Sequence, residues 1–297
     1  MQVLDARGLA GDDGSMRPAL QVDGLSKSFS AGLFSRPRQV LCGLGFKLEE
    51  GQSLGLVGPN GSGKSTLLRT IVGIERPDAG QVRLFGSHPG DPAARAQLGY
   101  LPENTPFPAE LSARSALELV ASLQGWGSKE RRQRIDALLG QVGLKEHAQR
   151  ALGAFSKGMQ RRFGLAQTFL HRPRLLLLDE PTAGLDAPGH VVLADLLGEA
   201  RARGASLIIA SHQLADIVEH CDTLIVLVEG RIVASGSPME LFRESGSLRL
   251  EIEGLDANAL ERLESELHKL GGTVTSRGPS SESFLGLYRR LGLGAKE

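Results

Sequence analysis

Along the chain the apolar positions fall into two rhythms. Strand-like runs come first, at Leu20–Leu25, Val40–Leu48 and Ser53–Val57, with a polar insert at 30–38 between the first two. The third run stops in a glycine-rich stretch at 58–65, after which Thr66–Ile74 has helical spacing. A turn over Arg76–Gly80 and a short strand at Gln81–Phe85 follow. From Ala113 to Leu144 the period is helical, with Leu117, Val120, Ala121, Leu138, Leu139 and Val142 on apolar faces. Another helix begins near Lys157, where Met159, Phe163, Ala166 and Leu170 recur every three or four residues. Three further strands, Leu175–Asp179, Ser206–Ser211 and Thr223–Val228, are separated by helices over Gly189–Arg203 and Gln213–His220. Unbroken apolar strands separated by helices predict a buried parallel sheet.

The two ends break this pattern. Residues 1–18 are rich in Gly and Asp without any period, which predicts a loose tail. Past Gly246, Leu248–Ile252 alternates like a strand, Ala257–Leu270 reads as a charged helix and Thr273–Ser276 as another strand. The expected organisation is a tail at 1–18, a main domain at 19–245 with a helical part at about 107–170, and a small α/β accessory domain at 246–297.

Composition narrows the class. An apolar share of 41% supports a real core, while 4% aromatics and 38 glycines favour an α/β protein with glycine-bearing loops over a β-sandwich. The formal net charge is zero and the nearest thing to a basic stripe is the short Arg36–Pro37–Arg38 run, read as a solvated loop, which argues against a nucleic-acid partner. Cys42 and Cys221 are far apart and form no Cys-x-x-Cys pair, against a zinc site or a disulfide scaffold and in keeping with a reducing cytosol. His220 beside Cys221 reads as packing. No apolar run approaches the ~18 residues that span a bilayer, and the N-terminus lacks the basic and apolar regions of a signal peptide. The chain is expected to stay in the cytosol unless a partner holds it at a membrane.

The strongest chemical signal is Gly58-Pro59-Asn60-Gly61-Ser62-Gly63-Lys64-Ser65-Thr66, a match to G-x-x-x-x-G-K-[ST] between a strand and a helix. Glycines let successive backbone N–H groups turn inward on phosphate oxygens, and the helix adds the positive end of its dipole. Lys64 would place its ammonium on the β- and γ-phosphates, and the Ser65 hydroxyl would ligate Mg²⁺. The second signal is Leu175–Leu178 running into Asp179 and Glu180. An acid at the carboxyl end of a buried strand is where open α/β sheets bind ligands. Asp179 fits a Mg²⁺-linked carboxylate, and Glu180 can take the proton of an attacking water.

Together with Phe155-Ser156-Lys157-Gly158-Met159-Gln160, Pro181-Thr182-Ala183-Gly184-Leu185-Asp186 and Ser211-His212, these stretches resemble the ordered motifs of ABC ATPases over roughly residues 20–240. The resemblance implies an α/β protein with a P-loop NTPase core on a parallel sheet, an antiparallel β subdomain and a helical subdomain. It implies ATP hydrolysis with Mg²⁺ in a head-to-tail homodimer that drives separate transmembrane permease subunits from the cytoplasmic face of the inner membrane. In such a dimer Ser156, Gly158 and Gln160 would reach the nucleotide of the other subunit, with Lys157 in place of a usual glycine and Met159 inserted. His212 resembles the switch histidine on the γ-phosphate, and Asp186 the acid of the loop joining the two sites. Either Phe29 or Phe34 takes the place of the aromatic that stacks on adenine. Glu103 stands where the family usually has a glutamine that ligates Mg²⁺, which puts the coupling role of this position in doubt. The Tyr100–Asn104 stretch is similar to bacterial ATPases paired with ABC-2-type permeases, including those of copper-site maturation for nitrous oxide reductase. The helical stretch 107–155 would receive the permease, and its Trp126 is expected to be buried. The alternative is a non-transport or regulatory ABC ATPase of low turnover acting on a soluble partner.

Overall fold

The computed structural model describes residues 18–30, 37–212, 217–218, 220–243 and Ser265. The tail at 1–17, Phe34, most of the helix expected over 213–220, and the strands and helix expected beyond 246 lie outside the described residues. The chain divides into two compact units, Met1–Gly236 and Ser237–Glu297.

The first unit opens with β1 (Pro18–Phe29) and β2 (Arg38–Glu49), an antiparallel pair, followed by β3 (Ser53–Val57) and α1 (Lys64–Ile71). Then come β4 (Ala79–Leu84), a short α2 (Pro92–Arg95) and β5 (Leu98–Leu101). Three helices form the helical part: α3 (Ala113–Ser122), α4 (Ser128–Gln141) and α5 (Lys157–Phe169). The remainder is β6 (Leu175–Asp179), α6 (Ala187–Ala202), β7 (Ser206–Ser211), β8 (Thr223–Val228) and β9 (Arg231–Gly236).

Two sheets result. β2-β1-β4 is antiparallel, and the larger sheet runs β5-β6-β7-β3-β8-β9, parallel except for β9. Every residue of β3, β6 and β7 is buried, because these strands are covered on both faces. The alternating exposure of β9 marks an edge strand with one wet face. The sequence pattern did not predict β9. Its two-residue connection, Glu229-Gly230, has positive φ at both positions (46° and 74°), the geometry of a type I′ hairpin, but Glu-Gly is a weaker signal than Asn-Gly.

The core between the sheets joins Leu20, Val22, Leu25 and Leu44 of the antiparallel sheet to Leu67, Leu68 and Ile71 of α1 and to Leu175, Leu177 and Ile208 of the parallel sheet. In the helical part, Leu117, Ile135, Leu138, Leu139 and Phe163 are buried on the apolar faces of their helices, whereas Trp126 is only half-buried. Of the second unit, α7 (Pro238–Arg243) is described. It starts in a capping box: Glu240 N donates to Ser237 Oγ (3.2 Å) and Ser237 N to the Glu240 carboxylate (3.0 Å).

Candidate functional site

Neighbouring strands deliver the candidate residues to one edge of the large sheet. The phosphate loop follows β3, Ser211 ends β7 with His212 after it, Asp179 ends β6 with Glu180 after it, and Glu103 lies just beyond β5. Because the strands are parallel, all of these fall at carboxyl ends, where the chain leaves the sheet and side chains are free to turn toward a ligand.

The loop is shaped by close backbone approaches. A Cβ at Gly58 would come within 2.2 Å of the Leu227 carbonyl oxygen, and one at Gly63, where φ is 108°, within 2.9 Å of the Val40 carbonyl. The hairpin turn after β8 braces the loop from outside, since Gly230 N donates to Ser62 O (3.0 Å) and Gly230 O accepts from Cys42 N (2.9 Å). Gly63 caps α1 without a side-chain bond, so the first N–H groups of that helix meet no side-chain acceptor from the cap residue and suit an anion.

Lys64 is buried and donates to Gly58 O (2.7 Å) and Pro59 O (3.3 Å). Burial lowers its pKa, while Glu180, Asp179 and Glu103 oppose that shift by holding the charged form. Asp179 behaves in the mirror sense: burial raises its pKa, a hydrogen bond from Ser65 lowers it, the charges of Glu103 and Glu180 raise it, and Lys64 lowers it. One carboxylate oxygen, Asp179 Oδ1, is buried without a hydrogen-bond partner, as is the Ser62 hydroxyl. Buried polar groups without partners are rare in native proteins.

The orphaned carboxylate oxygen beside the Ser65 hydroxyl is a hard-oxygen pair that fits Mg²⁺, an ion commonly held by one or two protein ligands plus phosphates and water. No cluster of three or more His, Cys, Asp or Glu able to hold a metal occurs among the described residues. The donors at hand therefore suit an ion whose remaining ligands come from the phosphates of a nucleotide.

Glu180 has left-handed backbone, with φ at 47°, a conformation that costs a non-glycine residue of order 1–3 kcal/mol unless its surroundings fix it. Its carboxylate accepts from Ser211 Oγ (3.1 Å) and His212 N (3.0 Å), and His212 Nδ1 lies 2.9 Å from Oε2. Glu180 is buried while the imidazole is half exposed, so the pair spans the boundary between core and cleft.

A cleft of about 970 Å³ is lined by Phe29, Asn60, Gly61, Gly63, Lys64, Ser65, Thr66, Glu103, Glu180 and His212, with Arg38 and Arg231 along the same wall. Phe29 is 38% exposed and its ring lies 5.2 Å from the Lys27 ammonium. Gly58, Pro59, Ser62 and Asp179 lie outside its lining. Ser156, Gly158, Gln160 and Asp186 do not line this cleft. Ser156 caps α5 through Met159 N (3.3 Å), Gln160 reaches Leu152 O (3.5 Å), and Asp186 caps α6 through Gly189 N (3.0 Å). Sequence reasoning did not assign Arg38, Cys42, Arg231 or the Glu229-Gly230 turn to the site; they come to it only because β2 of one sheet meets the β8–β9 hairpin of the other, through Cys42 N and Gly230 O. It also missed Arg161, a helix residue with no motif role.

A family profile described as "ABC transporter" matches residues 41–183. An uncharacterised ABC transporter ATP-binding protein of Synechocystis is 34% identical over 239 residues, covering 80% of this chain and 68% of that protein. The Nod factor export ATP-binding protein I of Rhizobium sp. (strain N33) is 35% identical, covering 80% of this chain and 77% of its own. Among solved structures, an ATP-binding subunit of an ABC transporter superposes with a TM-score of 0.69 at 30% identity, over 84% of this chain and 99% of that one. By sequence and by fold, the chain belongs to the ATP-binding proteins of ABC transporters and is an ATPase that works on ATP with Mg²⁺.

Proposed function

We propose that two copies of this chain close head to tail around two ATP molecules and that this closure drives a separate membrane permease. The observation that supports it best is the division of labour among the motifs. Asn60, Gly61, Gly63 to Thr66, Glu180 and His212 line one cleft, with Asp179 buried and hydrogen-bonded by Ser65, while Ser156, Gly158 and Gln160 lie outside it on the same subunit. A second copy would bring its own signature segment to the open side of the cleft, with Ser156 and the N-terminus of α5 facing the γ-phosphate. Asp186, exposed at the start of α6, would lie on the loop between the two sites.

In this reading Lys64 and the N–H groups of the loop hold the β- and γ-phosphates. Ser65 and Asp179 would hold Mg²⁺, with Glu103 close by, and the ion when bound neutralises the charge that develops on the phosphates. Glu180, fixed by Ser211 and His212, takes the proton of the attacking water. His212 senses the γ-phosphate, and Phe29 stacks on the base. Residues 19–245 form the ATPase domain, which then takes in α7 at the start of the second compact unit, and 246–297 an accessory domain.

Among the described residues no helix is long and apolar enough to cross a membrane. In this reading the permease holds the chain at the cytoplasmic face. The relative named for Nod factor export favours an exporting permease of the ABC-2 type. A role in metal-site maturation is the narrower alternative, carried only by the Tyr100–Asn104 likeness.

The test is light scattering of Glu180→Gln after size exclusion, with and without Mg-ATP. An ATP-dependent shift from monomer to dimer is expected. A monomer under both conditions would overturn closure of the isolated chain and favour a regulatory ATPase that needs another partner.

A further inference from the structure

Arg161, on the second turn of α5, is 8% exposed, which is unusual for an arginine without a bidentate carboxylate partner. All five of its N–H donors point at backbone carbonyls. Nε donates to Pro181 O (3.3 Å), Nη1 to Pro102 O (2.7 Å) and Glu103 O (3.0 Å), and Nη2 to Asp179 O (2.8 Å) and to Glu180 O. Two of these carbonyls follow β5 and carry the chain into the Glu103 loop. The other three are consecutive and flank the left-handed backbone of Glu180.

A guanidinium is planar and rigid, so one side chain fixes the separation and orientation of both loops together. Burial lowers its pKa, and the charges of Asp179, Glu103 and Glu180 counter that shift. Arg161 does not line the cleft that a nucleotide would occupy. Its effect on chemistry must therefore pass through the loops it holds.

We infer that Arg161 is a positioning residue for ATP hydrolysis, whose guanidinium clamps the Glu103 loop to the strained Glu180 backbone and so aims the Glu180 carboxylate at the cleft. The inference rests on Glu180 being the general base. Because Arg161 and Ser156 sit on one helix, the clamp also ties the signature segment of a subunit to the acid of its own site.

Arg161→Lys tests it in the full chain. Lysine keeps the charge but has three donors on a flexible stem and cannot span the five carbonyls. We expect kcat to fall by about 10²-fold, the cost of a misplacement near 1 Å. Mg-ATP affinity should stay within about threefold, as for a group that acts only on the chemical step. In a Glu180→Gln background, Arg161→Lys should change the residual rate by no more than about twofold, because residues acting as a unit are not additive.

A normal kcat in Arg161→Lys overturns the inference. So does a loss that multiplies in full with that of Glu180→Gln, or one that only follows a loss of affinity and thermal stability. If Arg161→Lys does not fold, Arg161→Gln as its Mg-ATP complex, stabilised by the bound ligand, replaces it in the same measurements, with the same outcomes expected and the same ones fatal. Full hydrolysis by Glu180→Gln alone would remove the general-base reading itself. A slow Glu180→Gln beside an unimpaired Arg161→Lys would remove only the role of Arg161.

Discussion

At the carboxyl edge of the large sheet, Lys64, Asp179, Glu180 and Ser211 are buried polar groups that find most of their partners within the same chain. At the start of α5, Ser156 and Lys157 are exposed, and the Ser156 hydroxyl serves as a local helix cap. Both regions are anion-binding geometries at a helix N-terminus, α1 in one case and α5 in the other. They differ in what surrounds them. Around α1 the chain supplies a base, an acid, a cation and a walled cleft, whereas the start of α5 presents a hydroxyl and backbone N–H groups on an open surface. In the proposed function the first region binds and orients a triphosphate by itself, while the second acts only on something brought to it by the dimer.

Substitutions that touch chemistry at the cleft should have the largest effects. Glu180→Gln keeps the shape and the hydrogen bonds that an amide oxygen can accept but cannot take a proton, so hydrolysis should slow by about 10²–10⁴-fold while Mg-ATP binding persists. Full turnover in single-cycle kinetics would separate Glu180 from the mechanism. Lys64→Ala should weaken nucleotide binding itself by about ten- to a hundredfold, the worth of a hydrogen bond to a charged group at roughly 1.5–3 kcal/mol. Unchanged affinity by calorimetry would count against the loop as the phosphate site.

Ser156→Ala should separate the two regions most directly. Loss of the cap costs about 1 kcal/mol of stability, visible as a lower unfolding midpoint. ATP affinity of the monomer should not change, whereas ATP-driven dimerisation should weaken. A drop in monomer affinity would place Ser156 in its own subunit's cleft and break the comparison.

The smallest effect concerns the two thiols. Cys42 is half-exposed along the cleft wall, while Cys221 is 6% exposed and burial pushes its pKa up to about 12, with the Asp222 charge adding to the shift. A thiol reagent near neutral pH should label one of the two cysteines of the native protein, because the thiolate is the reactive form. Mg-ATP should slow that labelling; equal labelling of both would show that Cys221 opens readily.

Much of the site was legible because the loop, the Asp179-Glu180 pair and the Ser211-His212 pair each abut an apolar strand, and strand ends are where sequence pattern and ligand chemistry coincide. The strands β3, β6 and β7 were readable for the same reason: a strand buried on both faces must be apolar nearly throughout. β9 was not readable, since this edge strand carries only Ile232 and Val233 as large apolar residues and its turn uses Glu229 in place of Asn. Arg161 was silent because a helical arginine usually faces solvent, and nothing nearby in sequence announces five carbonyls.

The sequence by itself determined which residues can hold phosphate, ligate a hard cation and accept a proton, since those capacities belong to local backbone turns and side-chain types. Only the tertiary structure decided that strand order would bring Glu103, Glu180, His212 and Lys64 to one edge while Ser156 stays outside the cleft. It also decided that Arg161 would bind two loops far apart in sequence. Those are long-range outcomes, set by how the strands pair and by the requirement that buried donors and acceptors find partners.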